Sequence, residues 1–582
     1  MKDNCKRGCL TKVRWPRINI GRRIRQPLPK KRLKVYNWDM TNTQLTREDY
    51  KIFDGEYQVC LPIETGIMIP KNDPVRILNA VFERMDWNVF AACYSQYGRI
   101  EYPPRILTKL LVYGYMRCIY SSREIERACR ENICFMYLLE GYNAPDHNTI
   151  ARFRSKYFPQ VKDRLMKELV EILCGMGEID LTNVFIDGTK IEANANKYTF
   201  VWKKRVQKDH ARLQEKIRKE LPDMLSEIGV KYHIPEHPEA HDLKKLRKKL
   251  GRQREQEQTE FVYGTGKRKS KLQKVWETVN EWLERLKRYT RDEHICGERN
   301  SYSKTDHDAT FMRMKEDHMR NGQLKPGYNV NVATASEYII GSYVSSDCTD
   351  TKTLIPFVER LSCFHIRRYI VDAGYESEEN YCYFEQPWVY ASLLVKPANH
   401  EQKKHRKYKT DISRRENMPY DPEADTYTCA NGKGLVFDHI RKTKSSAGFP
   451  IETTVYRCSE CQGCPLKEKC IKGNSKIPLE ERSKTLYVSK RFAQQRERME
   501  VMVNTSLGKF LRVNRSIQAE GSFAMTKEDM NFRRFLLRGT VKVDAEWTIL
   551  SMAYNILKLY HKLLTGRLGT HLAVPTSFPV GL

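Results

Sequence analysis

Two apolar β-runs, each leading into an aspartate and a small residue, constrain this chain more than any other feature. Val184-Phe185-Ile186 leads into Asp187-Gly188, and Arg368-Tyr369-Ile370-Val371 leads into Asp372-Ala373-Gly374. Apolar, β-branched runs of this kind read as buried strands. A carboxylate at such a strand's end faces a cleft, and the small residue after it lets a backbone approach. An Asp-Gly pair alone is an ordinary turn signal, so the weight lies in the order of elements. Alternating strands at Tyr328–Ala333 and Tyr338–Val344, a helix over Thr353–Phe364, the Asp372 strand, a short helix and a strand over Val389–Val395 follow one another. That order predicts a mixed α/β sheet.

A third isolated acid lies near the C-terminus. Glu520 stands among the cations Arg515, Lys527, Arg533, Arg534 and Arg538 in a stretch that reads as one continuous helix. An acid in such basic surroundings suits a metal ligand beside a phosphate backbone. With Asp187 and Asp372 it forms a three-carboxylate set of oxygen donors matched to two Mg²⁺ (or Mn²⁺) ions. Such ions activate an attacking water or 3′-hydroxyl and stabilise the leaving oxygen of a phosphodiester displacement. Asp347 and Asp350 compete for the second place, but their loop leads into a helix, where capping is the simpler reading.

The 582 residues call for several domains, and 102 Lys and Arg against 72 Asp and Glu give a net charge of +30, suited to a polyanion. No membrane-length apolar run or apolar signal core occurs. The expectation is a soluble protein, cytoplasmic and nucleoid-associated, with no membrane partner. Residues 1–40 read as a disordered basic arm, and 70–160 as a helical DNA-binding domain. In that domain Ser121-Ser122-Arg123-Glu124 spells a capping box. Asp146 caps a helix whose first turns present polar and basic side chains, as a recognition helix does. Residues 180–200 and 300–396 supply the first part of the core. The charged stretch 201–299 reads as long helices in an antiparallel hairpin. Residues 489–562 bring the C-terminal helices of the core, and 563–582 form a tail.

The region 397–488 is Cys-rich. Cys458, Cys461, Cys464 and Cys470 lie close in sequence, with Cys429 upstream, among 17 cysteines in all. Thiolates at two-residue spacing suit a closed tetrahedral Zn²⁺ site, and an iron–sulfur cluster can use similar spacing.

Phe185-Ile186-Asp187-Gly188-Thr189, Val371-Asp372-Ala373-Gly374-Tyr375 and Arg515-Ser516-Ile517-Gln518-Ala519-Glu520-Gly521, followed by Phe532-Arg533-Arg534-Phe535-Leu536-Leu537-Arg538-Gly539, resemble bacterial insertion-sequence transposases of the DDE class. So do Ser303-Lys304-Thr305-Asp306 through Lys315-Glu316, and the final Ala553-Tyr554-Asn555 helix. The resemblance implies an α/β, RNase H-like mixed-sheet catalytic core carrying both insertions, preceded by an all-α DNA-binding domain. It implies Asp187, Asp372 and Glu520 as the metal-binding triad, and Lys527, seven residues after Glu520, as a phosphate-contacting lysine on the same helical face. Arg515 resembles the family's accompanying arginine but precedes Glu520 by five residues, where related transposases leave four. The implied activity is cleavage at transposon ends and strand transfer into target DNA by a homodimer acting on double-stranded DNA. The alternatives are a metal-dependent endonuclease that only hydrolyses DNA, and a non-catalytic DNA-binding descendant.

Overall fold

The computed structural model describes residues 65–570 apart from 95–101, 265, 315–322 and 476. The basic arm, Lys315-Glu316 and the last residues of the tail therefore lie outside the described residues.

Helices come first. α1 (Pro74–Phe82) is capped by Asp73, whose carboxylate accepts from the Val75 amide. α2 (Pro104–Met116) is buried almost throughout. α3 (Ser122–Glu131) and α4 (Ile133–Leu139) pack on it, and α5 (His147–Arg152) packs on α3. Asp146 caps α5 through the Asn148 amide at 2.8 Å, as expected. Ser121 precedes α3 but makes no side-chain cap, so the capping box does not form. The helix after Asp146 runs on beyond Arg152. A π-turn over Phe153–Tyr157 carries it into α6 (Phe158–Gly175). Arg154 in that turn is buried, bonding the Tyr120 carbonyl and the hydroxyls of Tyr115 and Ser122, which removes it from any groove-reading face. Asn148, Arg152 and Lys156 remain exposed.

β1 (Asn183–Glu192) is the central strand. β2 (Phe200–Trp202) pairs with β3 (Ser301–Ser303) in a small ribbon. Between them stand α7 (Lys203–Ser226), α8 (Ala240–Gln256) and α9 (Lys271–Cys296). The expected two-helix hairpin is thus a three-helix bundle. Each helix carries an apolar stripe, and Leu213, Ile217, Leu246, Leu250, Val279 and Leu283 close a core of their own.

β4 (Thr310–Arg313), β5 (Leu324–Ala335), β6 (Tyr338–Ser345), β7 (Arg368–Val371) and β8 (Ser392–Val395) complete the main sheet, with α10 (Leu354–Arg360) before β7 and α11 (Glu378–Phe384) after it. The order is β4-β5-β1-β7-β8, with β6 also paired to β5. β5 runs antiparallel to β1 and β6, whereas β7 and β8 run parallel to β1. The strand–helix alternation read from the sequence is present. The insertion after β8 holds an unexpected antiparallel sheet: β9 (Tyr420–Asp421), β10 (Thr426–Thr428), β11 (Gly434–Lys444), β12 (Pro450–Arg457) and β13 (Thr485–Val488).

α12 (Lys490–Asn504) and α13 (Ser506–Arg515) return across the main sheet. Phe185, Ile370 and Leu394, from β1, β7 and β8, pack on Val503 and Leu511 from these helices. The expected helix runs unbroken from α13 to Asp529, wound as a π-turn (Ser516–Glu520), α14 (Gly521–Ala524) and a second π-turn (Met525–Asp529), but it ends before Arg533, Arg534 and Arg538. α15 (Thr540–Leu564) then packs on β6, α2 and α6. Its Asn555 side chain bonds both backbone groups of Ile339, at 2.9 and 2.8 Å.

Gly508 sits where α12 turns into α13. A Cβ there would lie 2.1 Å from the Met502 carbonyl oxygen and 2.9 Å from the Val503 Cα. Backbone cannot give way as a side chain end can, so Gly508→Ala should cost about 1–3 kcal/mol or more in urea unfolding. An unchanged midpoint would show that the turn is looser than this packing.

Candidate active site

Asp187 lies inside β1 rather than at its end. The strand continues because its β5 edge stays paired: Asp187 with Val332, Thr189 with Val330 and Ile191 with Tyr328. Thr189 and Ile191 are accordingly buried. The turn tendency of Asp-Gly yields to these ladder bonds and to burial. On the other edge the parallel register pairs Ile186 with Val371, the last residue of β7. Asp187 and Asp372 are therefore successive to paired residues on adjacent strands. Strand side chains alternate, so each acid shares a face with the residue two before it, Phe185 and Ile370. These are the residues that pack on α12 and α13.

Glu520 arrives on that face at the end of the first π-turn. The Arg515 guanidinium stands among all three acids, with nitrogens 3.4 Å from Asp187 Oδ2, 3.8 Å from Asp372 Oδ1 and 3.7 Å from Glu520 Oε1. The Arg515 and Asp187 side chains are largely buried, at 15% and 11% exposed, whereas Asp372 and Glu520 are open at 48% and 61%. The structure thus gathers a buried acid and two accessible ones around one cation.

The five-residue spacing of Arg515 and Glu520 follows from the π-turn. In an α-helix, residues four apart share a face. A π-turn closes its hydrogen bonds over five, which returns Arg515 and Glu520 to one side. The second π-turn affects Lys527: it is buried, at 7% exposed, and shares no exposed face with Glu520. The helical-wheel placement expected for it assumed α geometry throughout.

The remaining cations are spread along the segment after the second π-turn. Arg533 pairs with Glu528 at 2.5 Å. Arg534 bonds the carbonyls of Ala193 and Ala195, and Arg538 that of Asn194, so both tie this segment to the chain leaving β1. All three arginines are exposed.

A fourth acid, Asp350, was assigned to capping in the sequence reading and does something else. Its backbone carbonyl accepts from the Thr353 amide, but its carboxylate accepts from Asn329 Nδ2 at 2.7 Å. A Cβ on Gly188 would lie 2.9 Å from Asp350 Oδ1 and 3.1 Å from the Tyr375 hydroxyl, and a Cβ on Gly374 3.1 Å from Asp350 Oδ2. The small residues after both aspartates therefore admit Asp350 and Tyr375. The Tyr375 hydroxyl donates to Asn331 Oδ1 at 2.5 Å, as does that of Thr353 at 2.9 Å. Burial, and then the charges of Asp350, Asp187 and Asp372, hold this phenol well above its ordinary range and keep it neutral. Sequence reasoning missed Asn331 and Tyr375; the alternation of Asn329 and Asn331 with Tyr328, Val330 and Val332 on a buried strand was the available signal.

Glu376 fixes the segment after Asp372 to the helix that leads to Glu520. Arg496 of α12 grips it through two bonds of 2.8 Å, and the Ala398 amide and Tyr381 hydroxyl add two more.

The cysteines of the insertion also gather. Cys429, Cys458, Cys461, Cys464 and Cys470 line one small pocket with Lys433, Lys467 and Lys484. Burial, and then Cys461, push the Cys458 thiol up to about 11. Among the described residues the group with three ligand-type atoms within 4.8 Å of one another is Glu126, Asp146 and His147, at the start of α5. Neither the acids around Arg515 nor the thiols are drawn that close.

Residues 428–560, which include Arg515, Glu520 and Lys527, match the Transposase DDE domain family. Residues 64–156, the helical region, match the transposase domain family DUF772. Both matches support an insertion-sequence transposase of the DDE class. The transposase matches no curated protein and no solved structure. Asp187 and Asp372 fall outside both matched segments, so their place beside Glu520 rests on the geometry above. Among the described residues of the transposase, no helix is long and apolar enough to cross a membrane.

Removing Arg496 strands the Glu376 carboxylate, whose side chain is 2% exposed. Arg496→Ala should cost about 3–5 kcal/mol in chemical denaturation, as for an orphaned buried charge. A loss under about 1 kcal/mol, the level of a surface pair, would show that the contact is solvated.

Proposed function

We propose that Asp187, Asp372 and Glu520 form the catalytic centre of a metal-dependent phosphodiester transferase, which cleaves DNA at transposon ends and joins the freed 3′-hydroxyl to target DNA. The observation that carries this reading is the Arg515 guanidinium within 4 Å of all three acids. A site that holds one cation among three carboxylates offers the charge and the oxygen donors that hard divalent ions require. The sheet, with antiparallel strands β6, β5 and β1 followed by parallel β7 and β8, supports assigning an RNase H-like core.

Two Mg²⁺ or Mn²⁺ ions held by these acids would supply an attacking oxygen of lowered pKa and a Lewis acid at the leaving oxygen. The protein's own groups set the geometry. Asp187 is immobile within β1, while Asp372 and Glu520 stand open to a DNA strand. Arg515 balances the acids in the free protein. With DNA bound, its planar fork suits two parallel hydrogen bonds to a phosphate, which would orient the scissile group. Arg533, Arg534 and Arg538 are exposed for backbone phosphates, even though two of them also hold the β1 segment. Lys527 would act from a buried position, steadying the floor of the site. On α5 and its continuation, Asn148, Arg152 and Lys156 are the exposed groups we assign to reading DNA. Cutting two transposon ends in concert calls for a homodimer.

Asp372→Asn keeps the shape of a half-exposed side chain, so folding and binding to end-containing DNA should persist. Nicking and strand transfer should both fall by on the order of 10²–10³ or more. Joining at the wild-type rate would sink the assignment, and a wild type that hydrolyses but never joins would make the protein an endonuclease. Arg515→Ala should lower cleavage by a similar factor and also lower the urea midpoint, because the buried Asp187 carboxylate loses its cation. If cleavage survives, the guanidinium is only a counter-charge of the DNA-free protein.

A further inference from the structure

The pocket in the Cys-rich insertion has no part in the chemistry proposed above, and its construction is that of a metal site. Cys458 and Cys461 are buried in a small core with Tyr427, Leu435, Tyr456 and Leu486, and Cys429 and Cys470 pack against that core. Cys464 stands apart from it: besides the pocket, it lines a neighbouring open cleft with Pro465, Glu468 and Arg482. The backbone prepares two turns for ligation. The Cys429 amide bonds the Lys433 carbonyl at 2.9 Å and the Gly432 amide bonds the Cys429 carbonyl at 2.9 Å, forming a tight loop between β10 and β11. The Lys484 amide donates to Cys461 Sγ at 3.3 Å, an N–H···S bond of the kind that supports a thiolate.

We propose that this pocket binds one structural Zn²⁺ through Cys429, Cys458, Cys461 and Cys470, a set that takes Cys429 in place of Cys464. Four thiolates around a divalent ion leave a doubly negative centre. Lys433, Lys467 and Lys484 line the pocket together with Glu460, which pairs with Lys433, so Lys467 and Lys484 are the cations that offset that charge. Thiolate sulfur selects a soft or borderline ion, and four closed ligands make a structural site. Bonds of about 2.3 Å to one ion would hold the four sulfurs close around it. Each thiol gives up its proton as it ligates, and the gain in binding becomes folding stability. The ion would join the β10–β11 loop, the end of β12 and the loop before β13. A sheet of short strands with so small a core needs such a staple.

The full-length chain purified without chelator should carry one zinc by elemental analysis, with an X-ray absorption edge fitted by four sulfurs at about 2.3 Å. Maleimide labelling read by peptide mass spectrometry should reach Cys464 in the native protein. It should reach Cys429, Cys458, Cys461 and Cys470 only after chelation. Cys464→Ser should keep its zinc and Cys429→Ser should lose it. Labelling of the wild type gives the ligand set even if the Cys429 variant does not fold. Iron in place of zinc, no bound metal, nitrogen or oxygen ligands, or protection of Cys464 together with free Cys429 would each overturn the proposal.

Discussion

The site depends on one buried contact. Phe185, Ile370 and Leu394 present a single apolar face of the sheet, and Val503 and Leu511 cover it. Sheet faces alternate residue by residue, so the same register that turns Phe185 and Ile370 toward these helices turns Asp187 and Asp372 that way too. A slip of one residue between β1 and β7 would send one acid to the opposite face. The helices, held by this contact, by the close turn at Gly508 and by the Arg496–Glu376 pair, then deliver Glu520 from above.

Arg515 shows how a local backbone irregularity can carry function. As a regular α-helix, the stretch from Arg515 to Glu520 would place guanidinium and carboxylate on diverging bearings. The π-turn adds one residue to the winding and brings them together. Like-charged carboxylates gathered in a partly buried site repel one another, and a cation among them relieves that repulsion. The arrangement is electrostatically closed without DNA, and it leaves two of the three acids open to solvent.

The two insertions do not disturb this arrangement because each has a core of its own. The helical one begins and ends beside the β2–β3 ribbon, so its ends leave and return at one place. The Cys-rich one ends at Val488, directly before α12. Sequence reading found both by composition and erred inside them. Charged residues dominate both helices and loops there, so a third helix adds little to the composition. The strands of the second insertion, mostly exposed along β11, lack the apolar runs that revealed β1, β7 and β8.

The sequence by itself determined the acids, the apolar strands beside them, the order of elements in the core and the basic character of the chain, which suits a polyanion. Each is written in local composition and hydrophobic period, which solvent reads directly. The tertiary structure alone decided that Asp187 lies within a strand, because pairing with β5 overrides the turn tendency of Asp-Gly. It decided that Asp350 and Tyr375 stand behind Gly188 and Gly374, because only folding brings β5 and the α10 loop to that place. It also decided the bearing of Arg515 and the burial of Lys527. Helical winding is fixed by the packing of a whole segment, and no residue spacing announces a π-turn.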